Sequence, residues 1–501
     1  MACPAARAVR HPPNVGLDRI PTSCRDVPLN VGKTTPPIWP SVVFRLSCLA
    51  PESPELSGRA VAALLAESPD QLMARSGQIV LVSDVAATYG IREPDGTTPP
   101  NLRSMQLLMR LSNHTTLARF IPGFIRLPMS LFLYFTSSSM ANQLAEGLGQ
   151  QAGCHRTSFD WATGNPAAEQ MQPFHDYVCV VTGATRGIGR GIALGLGELG
   201  AIVYITGRTA KPTGSKVGGS LEETASEINF RGGKAVPVVM DHTDDKQVTS
   251  LFEQIRREQR GRLDVLVNNV YTAVPFLGVN DGKAYYEIDS CTPGEAWDLV
   301  NNAGLRNHYI CSTLATRLML DYRKQAENIS NPGLIVNVSS IGGRRYLFNA
   351  CYGIGKAALD RMTADMSVEL KRNGANVCVI SLWPGLVRTE ELMHRASNLS
   401  SDHILSKMDP RVSESPELSG RAVAALLAES PDQLMARSGQ IVLVSDVAAT
   451  YGIREPDGTT PPNLRSMQLL MRLSNHTTLA RFIPGFIRLP MSLFLYLMSC
   501  S

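Results

Sequence analysis

The chain has 501 residues, 44% of them apolar and 18% charged, with a formal net charge of +4. That balance excludes a disordered chain and a coiled coil. The charge is too weak over this length to imply a nucleic-acid partner. Ten cysteines occur with no CxxC pair and no metal-ligand spacing, so reduced thiols in a cytoplasmic compartment are expected, not a secreted disulfide framework or a metal site.

Residues 1–51 are Pro-rich and aperiodic and read as a disordered leader. Arg7 and Arg10 without a nearby acid faintly resemble a transit peptide, but Pro4, Pro12 and Pro13 break any amphipathic helix. Glu52 to Tyr134 is then identical, residue for residue, to Glu414 to Tyr496, a block of 83 residues at an offset of 362. Two distant copies do not make a solenoid. Residues 135–172 are polar and Ser/Gly/Gln-rich, as in a linker. From 173 onward short Val/Ile-rich runs alternate with amphipathic stretches. The runs are Val178–Thr182, Ile202–Thr206, Ala235–Val239, Leu263–Val267, Leu334–Val338, Val377–Ser381 and Gln440–Val444. Near-continuous apolarity predicts strands buried on both faces of a parallel sheet. Between the first two, Ile188, Ile192, Leu196 and Leu199 share one helix face. The fold class is α/β, a doubly wound parallel sheet in one domain, 173–501. The seventh strand recurs at Gln78–Val82, but a sheet edge has one slot for it. The 52–134 copy is therefore expected to be a partial duplicate of the C-terminal segment, without the partners its apolar face needs and without a function of its own.

The first chemical motif is Thr182-Gly183-Ala184-Thr185-Arg186-Gly187-Ile188-Gly189, directly after a strand and opening a helix. Glycines there let the backbone approach a pyrophosphate whose charge the helix N-terminus stabilises. Four further motifs follow in order: the strand ending Asn268-Asn269, Asn337-Val338-Ser339-Ser340, the pair Tyr352 and Lys356 spaced as YxxxK, and Pro384-Gly385-Leu386-Val387-Arg388-Thr389. Together they resemble the short-chain dehydrogenase/reductase family, and the resemblance runs from about Pro173 to Tyr496. Asn301-Asn302-Ala303-Gly304 spells the family's NNAG literally, yet no buried strand precedes it, and Asn268-Asn269 is the better match despite Val270-Tyr271 replacing Ala-Gly.

The resemblance implies a Rossmann-type nicotinamide-dependent oxidoreductase. Tyr352 would give a proton to a carbonyl oxygen; Lys356, on the same helix face, would favour the phenolate and lower the tyrosine's pKa. Ser340 would hydrogen-bond the carbonyl, with Ser339 the alternative. The family's catalytic Asn is replaced by Gly304, which keeps open a catalytically silent NADP(H)-binding sensor or scaffold as the rival to a carbonyl reductase. Cofactor contacts implied are Gly183, Arg186, Gly187, Ile188, Gly189, Arg208, Asp241, Asn268, Tyr352, Lys356, Pro384, Gly385, Val387 and Thr389. The second strand ends in Arg208 rather than an acid. With Arg186 it favours NADP(H) over NAD(H), because guanidinium can pair with a 2′-phosphate.

Val274, Phe276, Leu277, Tyr285 and Tyr286 lie in the 271–293 connection, and Tyr346 and Phe348 precede Tyr352. They suggest a lipophilic carbonyl substrate, a steroid-like or xenobiotic ketone or quinone. Residues 386–411 occupy the place of a mobile lid in the family. The tail from Phe482 is apolar but interrupted by Pro484, Arg488 and Pro490, too short to span a bilayer. It fits an interfacial segment, peripheral on a membrane such as that of the endoplasmic reticulum, with Arg472, Arg481 and Arg488 near headgroups. It fits equally a cover for the enzyme's own surface or for a partner subunit in a homo-oligomer.

Overall fold

The computed structural model describes residues 53–105, 107, 125–128, 174–325, 330–396, 412–473 and 477–499. The leader, the linker and 397–411 of the lid segment lie outside them. The described residues belong to two compact units, one on each side of 136/137.

In the first unit, Pro54–Leu65, Pro69–Ala74 and Val82–Tyr89 are helices. Local chemistry sets their ends. The Ser53 hydroxyl accepts from Leu56 N, Ser68 and Gln71 form a capping box, and Gly90 closes the third helix at φ 67°. A small core holds Leu56, Ala60, Val85 and Ala86. The residues 78–81 are not a strand.

The second unit is a seven-stranded parallel sheet: β1 Val178–Val181, β2 Ile202–Gly207, β3 Lys234–Val239, β4 Val265–Asn268, β5 Gly333–Val338, β6 Val377–Trp383 and β7 Ile441–Leu443. Their order is β3-β2-β1-β4-β5-β6-β7, so the chain reverses direction of growth between β1 and β4. Ligands of such sheets bind beyond the strand C-termini at that switch point. Each periodicity-based strand is present within a few residues. One expectation fails: β3 is not buried on both faces, and Val239 is 58% exposed. Its position at the sheet edge leaves one flank without a neighbour.

Helices cover both faces. On one, Ile192 and Leu196 of helix Gly187–Glu198 and Leu199 at its C-cap pack with Leu418, Val423 and Leu426 of helix Pro416–Leu427. The two helices approach so closely that a Cβ on Gly420 would run into the Gly191 carbonyl. On the other face Leu251, Phe252 and Ile255 meet Cys311, Leu318 and Met319. The C-terminal helix Met491–Ser499 lays Phe494 and Met498 against Trp383 and Leu443. Part of the apolar tail thus covers the surface of its own unit. Phe482 and Phe486 remain 82% and 79% exposed, and no helix among the described residues is long and apolar enough to cross a membrane.

Candidate active site

The site lies at the C-terminal ends of the strands. After β1 the backbone turns through Gly183, at φ 68°, into the helix that begins at Gly187. Asn269 holds this turn: its Nδ2 donates to the carbonyls of Thr182 and Gly183, each at 2.9 Å. A Cβ on Gly189 would collide with the Gly183 carbonyl. The turn is therefore a close-packed backbone cradle. Asn268, the residue singled out from sequence, is fully buried and faces inward. Its Nδ2 donates to Ser312 Oγ at 2.8 Å and to Asn337 Oδ1 at 2.9 Å, tying β4 to β5. The loop-holding group is its neighbour, and the signal available was the second Asn of the pair. Ile188 is half-buried and packs on the core below the turn.

The loop after β6 closes on the same turn. Thr389 Cγ2 lies 3.3 Å from where a Gly187 Cβ would be, and Gly187 N donates to Glu390 Oε2 at 2.8 Å. A carboxylate thus already occupies the anion position at the helix N-terminus, which is what a pyrophosphate-binding turn requires. Behind this loop, Gly385 N donates to Glu414 Oε2 at 2.9 Å, and Val387 pairs with Glu414 through the backbone. Glu414 is fully buried, and burial pushes its carboxyl up to about 8. Pro384, also buried, fixes the loop at the end of the strand.

The two arginines differ. Arg186 Nη1 donates to the Gly218 carbonyl at 2.7 Å. Arg208, 65% exposed, stands 3.9 Å from Asp241. Asp241 also accepts from Thr243 N and Oγ1, both at 2.9 Å, as a strand-end turn residue does.

Ser340, Tyr352 and Lys356 converge between β5 and the long helix Ala350–Arg372. Asn349 caps that helix, its Oδ1 accepting from Tyr352 N at 3.0 Å. Tyr352 Oη and Ser340 Oγ are 2.7 Å apart. Ser339 turns away and donates to the Lys356 carbonyl at 3.3 Å, so Ser340 is the serine that reaches the tyrosine. Lys356 Nζ donates to the Val338 carbonyl at 3.0 Å. The net shift of the Tyr352 pKa in this arrangement is upward, not downward as expected. Burial raises it, and the counteracting hydrogen bond is from Ser340. Burial also acts on Lys356 itself, bringing its ammonium down to about 8 against the pull of Asp360. Asp360, one turn beyond, is a residue that sequence reasoning missed. It accepts from Ser381 Oγ at 2.6 Å and Trp383 Nε1 at 3.0 Å, and burial raises its pKa. An acid at i+4 from the lysine was the available signal.

Around Tyr352 an apolar cluster gathers Tyr271, Phe276, Leu277, Leu347 and Phe348. Phe348 adopts φ 61°, rare for a bulky residue, and stacks edge-on 5.0 Å from Tyr352. Tyr285, Tyr286 and Tyr346 are 69%, 75% and 68% exposed and stand outside this cluster. Gly304 sits in a π-helical turn, Asn302–Arg306. Asn301 is buried against Gly355, its Nδ2 donating to the Cys351 carbonyl at 3.3 Å, and Asn302 Oδ1 is buried without a partner.

A glycine cradle at the switch point, an anion position at a helix N-terminus and a Ser–Tyr pair with a buried lysine define a nucleotide-dependent oxidoreductase. Comparison with known proteins is specific. The short chain dehydrogenase family profile matches residues 177–400. Over 326 residues the chain is 45% identical to mouse dehydrogenase/reductase SDR family member 1, covering 64% of this chain and 96% of that protein. The human protein of that name is 44% identical over 323 residues, with the same coverage of each chain. Among solved structures, a putative NAD(P)-dependent gluconate 5-dehydrogenase from Beutenbergia cavernae, with bound NADP, is 27% identical, covering 55% of this chain and 97% of that one at a TM-score of 0.42. The chain belongs to the short-chain dehydrogenase family and is an NAD(P)-dependent oxidoreductase acting on CH–OH or C=O groups.

Proposed function

We propose that the chain is an NADPH-dependent carbonyl reductase, an alcohol dehydrogenase in reverse, for lipophilic ketones or quinones of steroid-like or xenobiotic type. The observation that carries this is the 2.7 Å contact of Ser340 Oγ and Tyr352 Oη inside an apolar cluster. When bound, the reduced nicotinamide supplies a hydride to the carbonyl carbon. Tyr352 gives its Oη proton to the carbonyl oxygen. Ser340 hydrogen-bonds that oxygen and stabilises its growing charge. Lys356, one turn on, would lend positive charge to the tyrosinate that remains and would hold the nicotinamide ribose. The cradle of Gly183, Gly187 and Gly189 would hold the pyrophosphate, displacing the Glu390 carboxylate from Gly187 N. Ile188, Pro384, Gly385, Val387 and Thr389 would line the cofactor, and Asp241 would meet its adenine. Asn268 would act only through the strands it ties together.

Arg208 and Arg186 support NADPH over NADH. Arg208 is exposed at the end of β2, where an acid would bind ribose hydroxyls instead. Turnover with a panel of lipophilic ketones and quinones tests the assignment. NADPH is expected to be preferred, and Arg208→Ala to reduce that preference about tenfold or more. Preference for NADH in the unaltered enzyme would overturn the NADPH assignment. For the tail, exposed Phe482, Phe486 and Ile487 beside Arg481 and Arg488 support peripheral contact with an anionic membrane surface. Failure to sediment with anionic vesicles would contradict that contact.

A further inference from the structure

Tyr271 stands where the sequence departs twice from its family: it replaces the Gly of NNAG, and it lies against Gly304. A Cβ on Gly304 would be 2.6 Å from Tyr271 Cδ2. The ring therefore occupies the space into which any side chain at 304 would project. The backbone of the residue before it is held from two sides. The Thr182 hydroxyl accepts from Val270 N at 3.1 Å, and His308 Nε2 lies 3.1 Å from the Val270 carbonyl. So fixed, the ring is edge-on to Tyr352 at 6.1 Å, and Lys356 Nζ lies 4.9 Å from its centroid. That is within cation–π range, and the lysine is desolvated, where such contacts are strongest. The Tyr271 hydroxyl is buried without a hydrogen-bond partner. Its oxygen contributes nothing visible to the site; the face of the ring does.

We propose that Tyr271 is a positioning residue for the reaction, whose ring face holds the Lys356 ammonium in its charged form beside Tyr352. The inference rests on the reductase assignment for the same site. Several groups face Lys356. Tyr352 and Asp360 lie on its own helix. Tyr271 comes from the connection after β4, and His308 from helix Asn307–Gln325. The Val338 carbonyl comes from β5. His308 is neutral, since burial takes its pKa down to about 3. Burial likewise brings Lys356 down to about 8, so its cation is present below that pH and lost above it. Taking away the ring face removes support from the charged form alone. The pKa then falls further, and the alkaline limb of activity moves to lower pH.

The test titrates Lys356 directly, by NMR of lysine labelled at the ε-carbon in cofactor-free protein, with the signal assigned through Lys356→Arg. Tyr271→Leu is expected to lower the Lys356 midpoint by about one pH unit, and the alkaline limb of kcat with it. Tyr271→Phe keeps the ring and is expected to keep the wild-type midpoint. If the leucine variant does not fold, Tyr271→Met supplies the bulk without the face. A midpoint unmoved by Leu or Met, or moved as far by Phe as by Leu, overturns the inference. Absence of turnover in the wild type would count against the reductase assignment, and the NMR titration would still decide the role of the ring.

Discussion

The same 83 residues occur twice in this chain, and the two copies differ in what surrounds them. Their local structure is alike. Ser53 and Ser415 cap equivalent helices, Ser68 and Ser430 make equivalent capping boxes, and Gly90 and Gly452 end equivalent helices at φ 67° and 68°. Burial is not alike. Val61, Leu65 and Leu72 are 56%, 74% and 42% exposed, whereas their counterparts Val423, Leu427 and Leu434 are 0%, 6% and 2% exposed. Each such side chain contributes about 1.5–3 kcal/mol when fully buried. The strand differs most. Ile441–Leu443 is β7 because Ser381 to Trp383 of β6 offer it a ladder; the identical residues 79–81 form no strand. Helix ends are written in nearby residues, but a parallel strand exists only beside its neighbour.

Paired substitutions at equivalent positions sharpen this contrast. The largest effect is expected from Gly420→Ala. Its Cβ would meet the Gly191 backbone, which cannot move aside cheaply, and the cost should be about 4 kcal/mol or more. Gly58→Ala, at the same place in the first copy, meets nothing within 4 Å. It should be neutral or stabilise its helix by up to about 1 kcal/mol. Thermal melts of the two variants compare them, and equal losses would break the contrast. A smaller effect concerns Glu414, the first residue of the second copy. Its native pKa of about 8 lies above the ordinary 4.5, so the folded state keeps a proton that the unfolded chain loses. Stability from this group is complete below pH 4.5 and is lost as pH rises through 8. Glu414→Gln should flatten that fall in denaturant midpoints measured across the interval. The smallest effect is expected from deleting residues 1–172, which removes the first copy entirely. Turnover should stay within about twofold of the full chain by the reasoning that the sheet has no second edge slot. A collapse of solubility or activity would assign the first copy a role.

Much of the second unit was legible in the sequence. Strands buried on both faces announce themselves as Val/Ile runs, and the face Ile188, Ile192, Leu196, Leu199 was readable from spacing alone. The half-exposed β3 was not, because its composition resembles that of a central strand and only the sheet order makes it an edge. Tyr352, Lys356 and Ser340 were legible as a motif. Two adjacent serines, Ser339 and Ser340, stand open in the sequence, and only the geometry separates them: Ser340 reaches Tyr352 and Ser339 the Lys356 carbonyl. Less was legible where function rests on contacts between distant segments. Glu390 on Gly187 N and Glu414 on Gly385 N join residues 203 and 29 positions apart. Tyr271 and Gly304 were each visible as departures from a pattern. Their relation to one another needed coordinates, since side-chain exclusion between a loop and a distant helical turn leaves no local mark in a single sequence.

In the reduction proposed for this chain, the proton passes through Tyr352. The most direct measurement mixes NADPH-loaded enzyme with lipophilic ketones and quinones and follows nicotinamide absorbance, for the wild type and for Tyr352→Phe. Both should bind NADPH, seen as nicotinamide fluorescence, because the cradle is untouched by the substitution. The wild type should consume it, and the variant should be slower by about 10²-fold or more, the usual size of a lost general acid. Binding by both proteins with consumption by neither, on any substrate, would contradict the account and favour a nucleotide sensor or scaffold.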